Sequence, residues 1–170
     1  ATCAYLLKEA GHDVIGIYMR NWQEAGVKHC PVEQDLRDAE SCAKHIGIPF
    51  TTVDFTQQYL DQVFSSFLEA YQQGFTPNPD ILCNQEIKFH VFQNHILENY
   101  GAKLAKGHYA CIQEGTHGKN LLQGADPTKD QSYFLCRLNQ KQLENALFPI
   151  GHLHKYQIRE IAQRAGIPVH

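Results

Sequence analysis

Helix-spaced apolar stripes alternate along this chain with short β-branched runs, and that alternation limits the available folds more than any other feature. Ala4, Leu6, Leu7 and Ala10 fall in a helical arrangement that stops at Gly11, and "DVIGIYM" follows as a strand. After a polar stretch from Arg20 to Pro31, Leu36, Ala39, Cys42, Ala43 and Ile46 repeat at spacings of three or four, then "FTTVDF" reads as a second strand. Tyr59, Val63, Phe64, Phe67 and Tyr71 form one further stripe, and Ile87, Val91, Phe92, Ile96 and Leu97 another, both predicting core-facing helices. "KLAKGHYACI" predicts strand, glycine turn and strand, and two helical stretches, Gln140 to Leu147 and Tyr156 to Ala165, complete the pattern. Parallel neighbours need a crossover, so the expected class is α/β: a doubly wound parallel sheet with helices on both faces. Chemistry in such sheets sits on loops at the carboxyl ends of strands, which here are Met19 to Trp22, Phe55 and Gly107 to Tyr109.

A length of 170 residues suits one domain with one core, burying roughly two thirds of its unfolded surface. No window of eighteen apolar residues and no basic, apolar leader stands out, so a soluble protein without a membrane role is expected. The net charge of -3 lacks the basic excess of a dedicated nucleic-acid binder, and any phosphate contact must be local. Six cysteines lie without CxxC spacing in a chain that needs no disulfide staples, which suits a reducing compartment such as the cytoplasm, with the mitochondrial matrix as alternative. His29 with Cys30 and Cys42 with His45 do not make a convincing zinc site, and no metal ligands are assigned. The chain begins on a helix and carries a single methionine, Met19, so a fragment with its first βα unit cut through is expected.

"GFTPNPDILCNQEIKF" holds the densest chemistry. Its prolines fix their own φ and push Thr76 and Asn78 toward extended conformations, giving a stiff loop. Asp80 lies three residues before Cys83, which is expected where a helix from Gln85 to Asn99 begins, so free first-turn amides would favour a thiolate. Thiolate and carboxylate together suit sulfur or acyl transfer, with Asp80 opposing the thiolate's charge and Lys88 able to offset it. The plainer alternative is a capping Asp80 and a small buried Cys83. His108, behind Gly107, could pair with Cys83 as in cysteine proteases or be an ordinary hydrogen-bonding histidine. "KDQSYF" alone would be a solvated turn, and Met19 a core residue.

"TPNPDILCNQEIKF", "GHYA", "DQSYFL" and "LFPIG", in this order and spacing, with "GIYMRNW" near the start, closely resemble the tRNA-specific 2-thiouridylases over essentially the whole chain. These are PP-loop ATP pyrophosphatases, and the resemblance implies an SGGxDS phosphate loop upstream of Ala1 and a persulfide-bearing cysteine beyond His170. It implies that ATP, with Mg²⁺, activates the C2 oxygen of a wobble uridine and that a persulfide sulfur replaces it. Cys83 would then be the partner cysteine that attacks the persulfide or resolves it as a disulfide, and Asp80 would move a proton at the base. Asn78 and Pro79 would shape the base pocket, Met19 and Gly107 would contact the adenine nucleotide, and His108, Lys129, Asp130 and Gln131 would face the tRNA. Lys106 stands where the family commonly has threonine, a place from which an ammonium can reach phosphate. Implied partners are tRNA and a cysteine desulfurase or sulfur-relay protein, with the enzyme a monomer. An inactive tRNA-binding fragment and another PP-loop synthetase are the alternatives.

Overall fold

The computed structural model describes residues 1–22 and 31–168. The polar stretch between the first strand and second helix, with His29 and Cys30, lies mostly outside the described residues. Helix α1 (Thr2–Glu9) precedes strand β1 (Gly16–Arg20), helix α2 (Pro31–Ile46) and strand β2 (Phe50–Asp54). Helix α3 (Thr56–Tyr59) runs through a π-helical turn, Leu60–Phe64, into α4 (Ser65–Gln72). Helix α5 (Pro79–Leu82) likewise continues through a π-helical stretch, Cys83–Phe92, into α6 (Gln93–Tyr100). Strands β3 (Leu104–Ala105), β4 (Ala110–Gly115) and β5 (Gly118–Gln123) follow, then a 3-10 turn Ser132–Leu135, α7 (Gln140–Glu144), β6 (Ala146–Leu147) and α8 (Lys155–Arg164).

Where length led to an expectation of one core, the chain forms two compact units: residues 1–56 with the segment from Lys155 onward, and residues 57–154. In the first unit β1 and β2 pair in parallel, Gly16 opposite Phe50 through Arg20 opposite Asp54, with α2 as the crossover. Cys42 of α2 packs with Ala162 and Ile167, and Tyr5 and Ala165 close over them. The α2 carboxyl end is capped from α1, since the Lys8 ammonium donates to the carbonyls of Ile46 and Gly47.

The second unit has its own core of Val63, Ile87, Phe89, Phe92, Ile96, Leu104, Leu135 and Phe148, each at most 8% exposed. Burying Val63 and Ile87 completely contributes about 1.5–3 kcal/mol apiece before entropy is counted. The stripe from Tyr59 to Tyr71 is less core-facing than its spacing predicts. Val63 is buried, but Tyr71 is 66% exposed, and the rings of Phe64, Phe67 and Tyr71 stack along the helix at 6.3 and 6.0 Å.

The α/β class stands, with parallel pairs in both units: β1 with β2, and β3 with β6, where Leu104 meets Ala146 and Ala105 meets Leu147. Two features were not expected: β6 occupies Ala146–Leu147, inside the stretch predicted as helix from Gln140 to Leu147, and β4 and β5 form an antiparallel hairpin that turns between Gly115 and Gly118. Its second strand, "GKNLLQ", is too polar to show clear alternation. Gly151 sits so close to this hairpin that a Cβ there would fall 1.8 Å from the Ala110 carbonyl oxygen, so only glycine fits. No described helix is long and apolar enough to cross a membrane.

Candidate functional site

The helix carrying Cys83 begins earlier than the apolar spacing predicts. Asn78, in an extended conformation, accepts hydrogen bonds from the backbone amides of Asp80 (3.0 Å) and Ile81 (3.4 Å), and Pro79 takes the first helical position. This pair is a strong start signal: the asparagine satisfies two orphan donors, and proline has no amide to leave unsatisfied. Such a cap is worth about 1 kcal/mol. Two expectations are corrected by it. Asn78, not Asp80, is the cap, and Cys83 lies past the first turn with its amide bonded to the carbonyls of Asp80 and Pro79. Free first-turn amides therefore do not explain an activated thiol there.

Cys83 is 5% exposed, whereas Asp80, one turn earlier, is exposed. The segment from Cys83 to Phe92 is π-helical, a form common at functional sites and invisible to a 3.6-residue periodicity. The Lys88 ammonium donates to Asn84 Oδ1 at 2.9 Å. Asn84 is 2% exposed and uses its amide to donate to the Phe134 carbonyl at 3.0 Å. "CNQEIKF" is thereby tied to "DQSYFL".

Gln131 ties the second of these to "GHYA". Its backbone amide donates to the Tyr109 carbonyl (2.9 Å), and its Oε1 accepts from the Tyr109 amide (3.2 Å). Asp130 is a structural member of this loop, accepting from the Gly124 and Ser132 amides and the Ser132 hydroxyl at 3.0–3.2 Å. Desolvation pushes its pKa up, but the bonds from Ser132, Gly124 and Gln131 together outweigh it and hold the carboxyl below its ordinary range. Lys129 is exposed beside it.

His108 brings in the fourth motif. Its ring lies 5.8 Å from Phe89 and 5.8 Å from Phe148, and its Nδ1 is buried without a hydrogen bond. Burial, followed by the charges of Lys88 and Lys106, lowers its pKa to about 3. An imidazole so weakly basic is a poor partner for taking a thiol proton at neutral pH, which argues against the protease-like Cys/His pair. His108 should stay neutral at pH 5, a state that NMR of the ring nitrogens can read with His108→Gln to assign the signal. A charged ring at pH 5 would contradict this environment. Lys106 itself lies over the Phe92 ring, 5.9 Å from its centroid, a cation–π contact that places its ammonium at the surface of this unit's core.

The second unit thus gathers Asn78, Pro79, Asp80, Cys83, Gly107, His108, Lys129, Asp130 and Gln131 on one folded body. Gly107 is exposed at the carboxyl end of β3. Met19, near the carboxyl end of β1, belongs to the first unit. Three residues that the sequence reading did not single out as site residues support the cluster: Asn84, Phe89 and Phe148. A fourth, Tyr59, is half-buried just before the π-helical turn Leu60–Phe64, and burial, followed by the negative charges of Cys83 and Asp80, holds its phenol above the ordinary range. Its place in an apolar stripe concealed it. Among the described residues no group of three histidine, cysteine, aspartate or glutamate side chains could hold a metal ion.

The chain matches the family model of the tRNA methyl transferase HUP domain over residues 1–170. It is 50% identical over 169 residues to the tRNA-specific 2-thiouridylase MnmA of Methylobacillus flagellatus, covering 99% of this chain and 47% of that protein. The proteins of the same name from Mycoplasmopsis pulmonis and Polaromonas sp. are 48% and 51% identical, over 98% and 99% of this chain and 47% and 43% of theirs. The chain therefore spans a little under half the length of these relatives.

Proposed function

Because the chain belongs to the tRNA methyl transferase HUP domain family, we propose that it is the part of a tRNA-specific 2-thiouridylase that holds the target base and the partner cysteine. The observation that carries this reading is the folding of four sequence motifs onto one body around a buried thiol with an exposed carboxylate one turn away. Identities near 50% to proteins of that name over almost the whole chain support it.

In this reading a uridine is turned out of its stack toward the helix start, at a cost of a few kcal/mol that contacts to the extruded base offset. Asn78 and Pro79 fix the rim on which Asp80 stands, and Asp80 moves the proton at the base. The Cys83 sulfur then attacks or resolves the persulfide that supplies the new sulfur. Lys129 and the backbone of Asp130 and Gln131 meet the tRNA, while His108, neutral at working pH, contributes hydrogen bonding rather than charge.

ATP supplies the leaving group at the C2 oxygen. Gly107 fits an adenine contact, because an exposed glycine at a strand's carboxyl end lets a ligand approach the backbone. Met19 is the corresponding candidate in the first unit. Magnesium fits less well, since the described residues offer it no ligand cluster, and no step here is routed through it. The sulfur comes from a cysteine desulfurase or relay protein.

The test is direct. The full-length protein, given ATP, unmodified tRNA and a persulfide donor, should form 2-thiouridine detectable by mass spectrometry of digested tRNA. Formation of a methylated base instead, or no ATP dependence, would overturn the reading.

A further inference from the structure

The proposed sulfur transfer leaves the buried carboxylate of Asp126 unused, and this residue lies three positions before Lys129. Within the second unit it opens a four-residue turn, Asp126 to Lys129, which the Lys129 amide closes by donating to the Asp126 carbonyl at 3.1 Å. Aspartate followed by proline suits the first two places of such a turn. At 6% exposure a carboxylate is costly unless its oxygens are bonded, and here they are engaged. Oδ1 accepts from the Thr128 amide at 2.9 Å and from the Thr128 hydroxyl at 2.7 Å, while Oδ2 faces His154 Nδ1 at 3.9 Å.

The rest of the loop is pinned too. The Ala125 amide donates to the Gly151 carbonyl at 2.8 Å, and Asp130 accepts from the Gly124 amide at 3.2 Å. Lys129 is therefore an exposed residue on an anchored turn, and the carboxylates of Asp126 and Asp130 accept hydrogen bonds from the loop itself. Its ammonium makes no salt bridge among the described residues. A long lysine side chain loses much freedom on binding, and a fixed backbone confines in advance where its charge can go. We propose that Asp126 is a positioning residue for tRNA binding, its carboxylate fixing the turn from which the Lys129 ammonium meets a backbone phosphate. That Lys129 meets tRNA rests on the thiouridylase reading above.

Charge alone predicts the opposite effect. A carboxylate near a phosphate contact repels RNA, so deleting it should tighten binding, whereas loss of the turn should weaken it.

The experiment measures binding of unmodified tRNA to the full-length protein across a range of salt, without ATP or persulfide. Asp126→Ala should weaken binding about fivefold at about 0.15 M salt and flatten the slope of log affinity against log salt by about one, as for the loss of one phosphate contact. Lys129→Ala should give the same change, and adding Asp126→Ala to it should cost nothing further. Asp126→Asn keeps an oxygen for Thr128 and should bind like the parent. In 2-thiouridine formation, KM for tRNA should rise by the same factor in Asp126→Ala with kcat unchanged, because a phosphate contact binds substrate and transition state alike. Tighter binding, an unchanged slope, a full loss in the Lys129→Ala background or a change confined to melting temperature would each overturn the proposal.

Thr128→Val covers the case in which Asp126→Ala folds poorly, since it keeps the side-chain shape and the carboxylate and removes only the hydroxyl's bond. It should move affinity and slope in the same direction by a smaller amount, and parent-like binding would count against Asp126. Amide hydrogen exchange at Lys129, read without tRNA, should quicken in Asp126→Ala and stay near the parent rate in Asp126→Asn; an unmoved rate in the alanine variant would overturn the proposal. Absent 2-thiouridine formation with these binding and exchange changes in place would sink the functional reading and leave the Asp126–Lys129 link standing.

Discussion

Cys83→Ser in the full-length protein should reduce 2-thiouridine formation by at least about 10³-fold while ATP-dependent activation of the tRNA remains measurable. Removing a nucleophile that works as part of a set typically costs this much or more. Serine is close to cysteine in volume, and Cys83 is 5% exposed within a continuous helix, so the helix and its Asn78 cap should be retained. In the proposed reaction adenylation precedes sulfur transfer and needs no thiol, so the two half-reactions should separate in this variant. Mass spectrometry of digested tRNA measures the first, and AMP release or accumulation of activated tRNA measures the second. Undiminished 2-thiouridine from Cys83→Ser would remove Cys83 from the chemistry and return it to the plainer role of a small core residue.

The helices and strands around this site were largely legible, because alternation and stripe spacing are local properties of the chain. Boundaries were less so. Asn78–Pro79 is as clear a helix start as any in the chain, yet the apolar stripe beginning at Ile87 drew the expected start to Gln85, six residues late. The prolines of "TPNPD" predict a stiff loop with Cys83 where the helix begins, whereas the helix has already started at Pro79. The hairpin of β4 and β5 escaped for the opposite reason, since its second strand has too little apolar pattern to register.

The site was legible in its parts and not in its assembly. Cys83, Asp80, His108 and the Lys129–Gln131 segment stand out by residue type, but what joins them is tertiary. Gln131 clamps Tyr109 across 22 residues, Asn84 reaches the Phe134 carbonyl, and Phe148 closes on His108. None of these contacts has a spacing that a sequence window could detect.

Asp80→Asn separates the proton-transfer role from the structural roles available to this position. Asp80 stands in the first helical turn, where a carboxylate gains about 0.3–1 kcal/mol from the helix dipole, so the amide should cost the fold little. The cap bonds come from Asn78 and survive the change. A positioned general acid or base contributes about 10² to 10⁴ in rate, and turnover of bound tRNA should fall by that factor while tRNA affinity changes far less. The same substitution removes a negative charge one helical turn from Cys83, so its thiol should ionise at lower pH even as turnover drops. That opposition is the useful part of the prediction: a residue acting only by repelling the thiolate would make Asp80→Asn faster, not slower. Single-turnover thiolation at saturating tRNA, run against pH together with the thiol titration, distinguishes the two. If binding collapsed while bound tRNA still reacted at the parent rate, Asp80 would be holding the base in place and the proton would have to leave by another route.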